Sequence, residues 1–154
     1  MVYDFKTNDP KGAARYFEAK AAYSTGPAEL EHALSSGRRP GVDFNLIDLR
    51  SADDFAKGHL PGATNLPEER WSSFDGLARE RLNILYCYSS VCHLAARAGF
   101  EFAAAGFPVM EMDGGFESWK EHEFKTEGAE DPARPGLKAK RGPDPDAERF
   151  ESLL

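Results

Sequence analysis

Short apolar runs that alternate with helical segments leave this chain few ways to fold. The runs span residues 44–49, 63–66, 84–86 and 109–112, and Ala22-Tyr-Ser-Thr25 is a shorter candidate strand. Helical character falls between them. Gly26-Pro27 opens a segment reaching Leu34, with proline early in the helix where its missing N–H costs nothing. Ala52–Lys57, Glu68–Arg79, Ala95–Ala105 and a segment from Gly114-Gly115 through His122 supply the others. Parallel strands require crossover connections, and helices are the usual ones. The pattern therefore predicts an α/β fold with a central parallel sheet of about five strands and helices on both faces.

Length and charge narrow the picture. The chain has 154 residues, which suits one domain with a real core. Residues 1–21 read as an N-terminal helical extension packing on the domain, with Ala14, Tyr16, Phe17 and Ala21 as an imperfect apolar face. The domain proper is expected over 22–124. Residues 125–154 turn to proline, glycine and charge and read as a tail, with a candidate short last helix over Ala147–Leu154 that carries Phe150, Leu153 and Leu154. A net charge of −7 argues against nucleic acid or an anionic membrane as the main partner. No apolar run is long enough to span a bilayer and no signal-peptide pattern opens the chain, so the expected location is the cytoplasm. Oligomeric state is not legible. No zinc-type ligand spacing and no glycine-rich phosphate loop is present, so neither metal nor cofactor is expected.

The stretch Asn83-Ile-Leu-Tyr-Cys-Tyr-Ser-Ser-Val-Cys-His-Leu-Ala95 places Cys87 where a strand ends and a helix is about to start. Unpaired backbone N–H groups and the positive end of a helix dipole meet there, and both favour thiolate over thiol. Cys87 is thus a candidate nucleophile with an expected pKa below the usual value of about 8.5, unless burial beside Tyr86 and Tyr88 raises it. Ser90 is expected to cap the following helix, or its hydroxyl donates to a bound anion.

Three motifs occur in order: Asp48-Leu-Arg50 at a strand end followed by Phe55-Ala-Lys-Gly-His-Leu-Pro-Gly-Ala63, then strand-Cys87-loop-helix, then Gly114-Gly-Phe-Glu-Ser-Trp119. Together they resemble the rhodanese (sulfurtransferase) family over about residues 22–122. The resemblance implies one rhodanese-like domain that moves a sulfane sulfur through a Cys87 persulfide. Its partners would be a small sulfur donor or persulfidated thiol and a thiophilic acceptor. It further implies that Tyr88, Ser89, Ser90, Val91, Cys92 and His93 form the substrate-binding loop. Asp48, Arg50 and His59 are supporting residues, expected to tie loops together, although Arg50 could instead recruit an anion.

The loop departs from the common family pattern Cys-x-x-Gly-x-Arg-Ser. Ser90, Cys92 and His93 stand at its Gly, Arg and Ser positions, so no Lys or Arg lies between Cys87 and Leu94. Losing a charged hydrogen bond costs roughly 1.5–3 kcal/mol, so a dianion such as thiosulfate should be a poor donor and a thiol persulfide a better one. Cys92 is either a resolving cysteine able to form a disulfide with Cys87 or a small residue filling the junction. A Cys-x5-Arg phosphatase reading fails because His93 stands at the arginine position, unless Arg97 reaches back. Two alternatives to sulfur transfer remain: a thiol-disulfide or persulfide reductase using Cys87 and Cys92, and a non-catalytic binding module.

Overall fold

The computed structural model describes residues 8–129. The elements are α1 (Pro10–Tyr23), β1 (Ser24–Thr25), α2 (Pro27–Ser35), β2 (Asn45–Asp48), α3 (Ala52–Lys57) and β3 (Thr64–Asn65), followed by a 3-10 helix (Glu68–Ser73). After it come β4 (Asn83–Tyr86), α4 (Leu94–Ala104), β5 (Val109–Met112) and α5 (Gly115–Glu121). All five strands are parallel, in the order β1-β5-β4-β2-β3. This is the α/β architecture that the alternating pattern predicts.

Side chains of a strand point alternately to opposite faces, and the two faces of this sheet bury separate apolar clusters. Ile47, Leu49, Leu85 and Cys87 meet Trp71 of the 3-10 helix and Ala95, Ala98 and Phe102 of α4. Leu46, Ile84, Tyr86 and Met112 meet Leu30 of α2, Trp119 of α5 and the Leu60–Ala63 loop. The parity of β4 therefore places Cys87 on the α4 side and Tyr86 on the α2/α5 side.

The strands are pinned at their N-terminal ends by buried Asn83. Its amide donates to the carbonyls of Ala78 and Pro108, both at 2.8 Å, and its oxygen accepts from Asn45 at 3.0 Å and from the Ala78 N–H at 2.9 Å. The polar side chain is thus satisfied inside the core, as burial demands.

The same residue helps explain a departure from the sequence reading. A helix was expected over Glu68–Arg79, but only Glu68–Ser73 is helical, and it is 3-10. Phe74 then takes a left-handed conformation (φ 54°) that turns its ring onto Phe102 and Phe107, and Ala78 bonds to Asn83 through both its backbone groups. Tertiary packing outweighs a weak local helix preference here.

At the N-terminal side, Asp9 caps α1 by accepting from the Gly12 N–H at 2.9 Å. No residue of α1 is buried, and Tyr16 and Phe17 are both more than 60% exposed. The helix meets β1 and β5, and Lys20 pairs with Asp113 at 3.4 Å. Beyond Phe124, which packs edge-on against Trp119, Glu127 pairs antiparallel with His59 and the Ala129 N–H reaches the Ala56 carbonyl at 2.9 Å. Phe150, Leu153 and Leu154 lie outside the described residues. Among the described residues, no helix is long and apolar enough to cross a membrane.

Replacing Asn83 by Ala would strand several buried partners at once, each costing about 1–3 kcal/mol. Asn83→Ala is expected to lower stability by about 2–4 kcal/mol, read as a fall in the denaturation midpoint without a change in slope.

Candidate active site

Open parallel sheets carry their sites beyond the carboxyl ends of the strands, and Cys87 follows the central strand β4 there. The thiol is 3% exposed. Its S–H lies 3.6 Å from the Cys92 carbonyl and 3.9 Å from that of Ser89, while backbone N–H groups of Ser89 and Ala95 favour its thiolate. Ser89 to Cys92 closes a turn through a Cys92 N–H to Ser89 carbonyl bond of 3.2 Å.

Three elements hold this loop. The first two available N–H groups of α5, on Phe116 and Glu117, donate to the carbonyls of Cys87 and Tyr88, each at 2.9 Å. That approach requires glycine at 115, where φ is 63° and a Cβ would stand 2.7 Å from the Cys87 oxygen and the Ser89 nitrogen. From the other side, the Tyr88 hydroxyl donates to Asp54 at 2.7 Å and accepts from the Ser51 N–H at 3.2 Å, tying the loop to the start of α3. The third hold is α4 itself, which begins at Leu94 behind the loop.

Asp48 and Arg50 support the site without entering it. Asp48 accepts from the Arg50 guanidinium at 2.8 Å and from the Tyr86 hydroxyl at 2.6 Å, and that hydroxyl accepts from the Leu60 N–H. Arg50 also donates to the Gly58 carbonyl and lies 3.8 Å over the Phe116 ring. Its Nε and Nη2 donors are spent on Asp48 and Gly58, and both Asp48 and Arg50 are buried. Burial opposes the charge on Arg50, but the contacts with Asp48 outweigh it and raise the already high guanidinium pKa. His59 donates its Nδ1–H to the Phe55 carbonyl at 2.7 Å and stacks on the Phe55 ring.

Of the loop residues, Ser90, Val91 and His93 are exposed, with Val91 at 83%, while Cys92 turns inward against the cluster that contains Cys87. Ser90 does not cap α4. His93 occupies the cap position and no side chain completes it, so the expectation for Ser90 is corrected: the Ser89–Cys92 turn leaves it three residues before the cap. His93 instead lines an open cavity of about 510 Å³ with Trp71, Ala96, Arg97, Phe100 and Glu101. Arg97 runs along the outside of α4 to Glu68 and over Trp71 rather than back to the loop, which disposes of the phosphatase geometry.

The Cys87 thiol is pushed up to about 11, opposite to the shift expected from the sequence. Burial is the main cause, and the hydrogen bond to Cys92 adds to it, outweighing the two N–H groups. Cys92 moves the other way. Although desolvation is its largest influence and raises it, the Cys87 S–H and the N–H groups of Leu94 and Tyr88 together hold Cys92 below the ordinary thiol value. The two thiols act as one pair whose first negative charge sits mainly on Cys92.

One neighbour escaped the sequence reading. Glu111 is paired in register with Leu85 on the adjacent strand, and its pKa is raised by burial and then by its hydrogen bond to Asp113, with Lys20 and His93 opposing. A lone glutamate between two methionines was the available signal.

Residues 26–122 match the rhodanese-like domain. The chain belongs to that family. Within it, the chain is 33% identical over 78 residues to the thiosulfate sulfurtransferase GlpE of Shewanella oneidensis, covering 49% of this chain and 75% of that protein. It is 31% identical over 84 residues to an HTH-type transcriptional regulator of Mycobacterium tuberculosis, covering 54% of this chain and only 37% of the regulator. The crystal structure of the BH2092 protein from Bacillus halodurans superposes with a TM-score of 0.71 at 28% identity, covering 95% of this chain and 100% of that one. The chain thus aligns with three quarters of the sulfurtransferase and with little more than a third of the regulator.

Two outcomes check this geometry. Gly115→Ala should displace the Cys87–Ser89 backbone, lower stability by about 1–2 kcal/mol or more, and change the alkylation rate of Cys87. In the wild type, alkylation against pH should show two steps, Cys92 below the ordinary thiol value and Cys87 near 11. Cys92→Ser removes a raising influence, so the single remaining Cys87 step should fall below 11.

Proposed function

We propose that this chain is a sulfurtransferase in which Cys87 accepts a sulfane sulfur, carries it as a persulfide and passes it to a thiophilic acceptor. The observation that carries this reading is the position of Cys87 beyond the central strand, inside a loop clamped by the start of α5. Its similarity to GlpE supports the same reaction class. The paired thiols supply the activation. As Cys87 attacks the donor, its proton can pass along the S–H contact to the Cys92 thiolate, so a buried thiol need not ionise alone.

A thiol-bound persulfide fits the loop better than thiosulfate. The Arg50 guanidinium is bound to Asp48 and Gly58, Arg97 points to Glu68, and Glu111 and Asp113 lie beyond β4 on the β5 side. A dianion would therefore meet backbone dipoles and no free arginine among the loop residues, whereas a persulfide monoanion needs less compensation. The acceptor would be a small thiophile or a protein thiol, and the expected setting is the cytoplasm.

Cys87→Ser should abolish a mass gain of about 32 Da on incubation with glutathione persulfide, whereas the wild type acquires it or the products that follow from it. Retention of an undiminished transfer rate in the variant would remove Cys87 from the mechanism. In steady state, glutathione persulfide should give the higher kcat/KM, and Cys92→Arg, which supplies the missing cation but removes the proton acceptor for both donors, should shift the ratio of the two kcat/KM values toward thiosulfate, by roughly tenfold for each 1.4 kcal/mol gained.

A further inference from the structure

Resting on the persulfide reading, we propose that Cys92 resolves the Cys87 persulfide, releasing hydrosulfide and leaving a Cys87–Cys92 disulfide, so that the protein is also a thiol-dependent persulfide reductase. Both cysteines are free thiols in the structure. Among the loop residues 90–93, Cys92 alone turns inward, and it packs on the apolar cluster to which Cys87 belongs. The Cys87 sulfur lies 3.6 Å from the Cys92 carbonyl oxygen, and the Cys92 side chain is close enough to push the Cys87 thiol up. The Ser89–Cys92 turn brings the two positions together, and its tip at Ser90 and Val91 is exposed, so it can yield while α5 keeps Cys87 fixed.

A filler residue would need none of the groups that gather around its sulfur. N–H groups of Tyr88 and Leu94 point to Cys92 and hold it as the more readily ionised partner, which is the state a resolving thiol needs.

The chemistry balances as follows. A donor R–S–SH gives its outer sulfur to Cys87, and R–SH leaves. The Cys92 thiolate attacks Sγ of Cys87; the bond between the cysteine sulfurs forms as the bond to the sulfane sulfur breaks. That sulfur departs as HS⁻ with the bonding electron pair and the persulfide proton. The two cysteine sulfurs each lose one electron and the sulfane sulfur gains both. A thiol reductant, glutathione or a protein dithiol, restores the pair: two R–SH become R–S–S–R and deliver two electrons and two protons.

The test mixes wild type and Cys92→Ser with one equivalent of glutathione persulfide, removes small molecules, and measures intact mass and hydrosulfide. The wild type should release nearly one equivalent of hydrosulfide and end about 2 Da lighter, with a Cys87–Cys92 cross-link in its peptide map that dithiothreitol reverses. Cys92→Ser, and Cys92→Ala as a second variant, should load more slowly for want of the Cys92 proton acceptor but, once loaded, stay about 32 Da heavier and release hydrosulfide only when a thiol is added. A wild type that keeps the heavier mass and forms no cross-link overturns the resolving role while the persulfide reading stands. If neither the wild type nor the variants gain mass or release hydrosulfide, the persulfide reading falls and takes this inference with it.

Discussion

The contact between Gly115 and the backbone from Cys87 to Ser89 is the constraint on which the site depends. Two N–H groups at the start of α5 have no partners within their own helix, and two carbonyls at the end of β4 have none within the sheet. Each pair satisfies the other, but only if the backbones come so close that no side chain fits between them. The strand that ends the core and the helix that closes the fold thereby define the same few atoms. The Asp48–Arg50–Tyr86 network ties the neighbouring strand end and the Gly58 loop to this arrangement, and the Arg50 stack on Phe116 brings α5 into it as well.

Much of this was legible because it rests on local pattern. The limits of α3 and β5 agree with the sequence reading, since Ser51 caps one and alternating apolar residues mark the other. The strand end at Cys87 was likewise visible from the apolar run before it. What escaped depends on depth and on distant partners. Phe74 and Asn83 break the helix expected after Glu68 by contacts to residues far along the chain. Position in a strand-loop-helix unit suggested a stabilised thiolate at Cys87, yet the sign of its shift follows from burial and from the second sulfur, and neither can be read from the order of residues.

The site residues divide accordingly. Tyr88 proves to be a strut to Asp54 and Ser51, a role its place in the loop did not signal. Asp48, Arg50 and His59 sit in motifs that carry their own short-range partners: Arg50 meets Asp48 two residues away, and His59 meets Phe55 four residues away. Cys92 is the residue whose meaning changed most, from an optional neighbour to the better ionised half of a pair.

In the sulfur-transfer cycle proposed for this chain, the depth of Cys87 would give the unloaded and loaded states different reach. Oxidants attack exposed thiolates first, and a thiol that is 3% exposed and holds its proton to about 11 is shielded from them. A sulfur atom bonded to it stands about 2 Å further along the side chain. On the proposed mechanism the cargo itself would lengthen the arm, and what solvent and acceptor would encounter is the sulfur to be delivered, with the cysteine that carries it sheltered beneath.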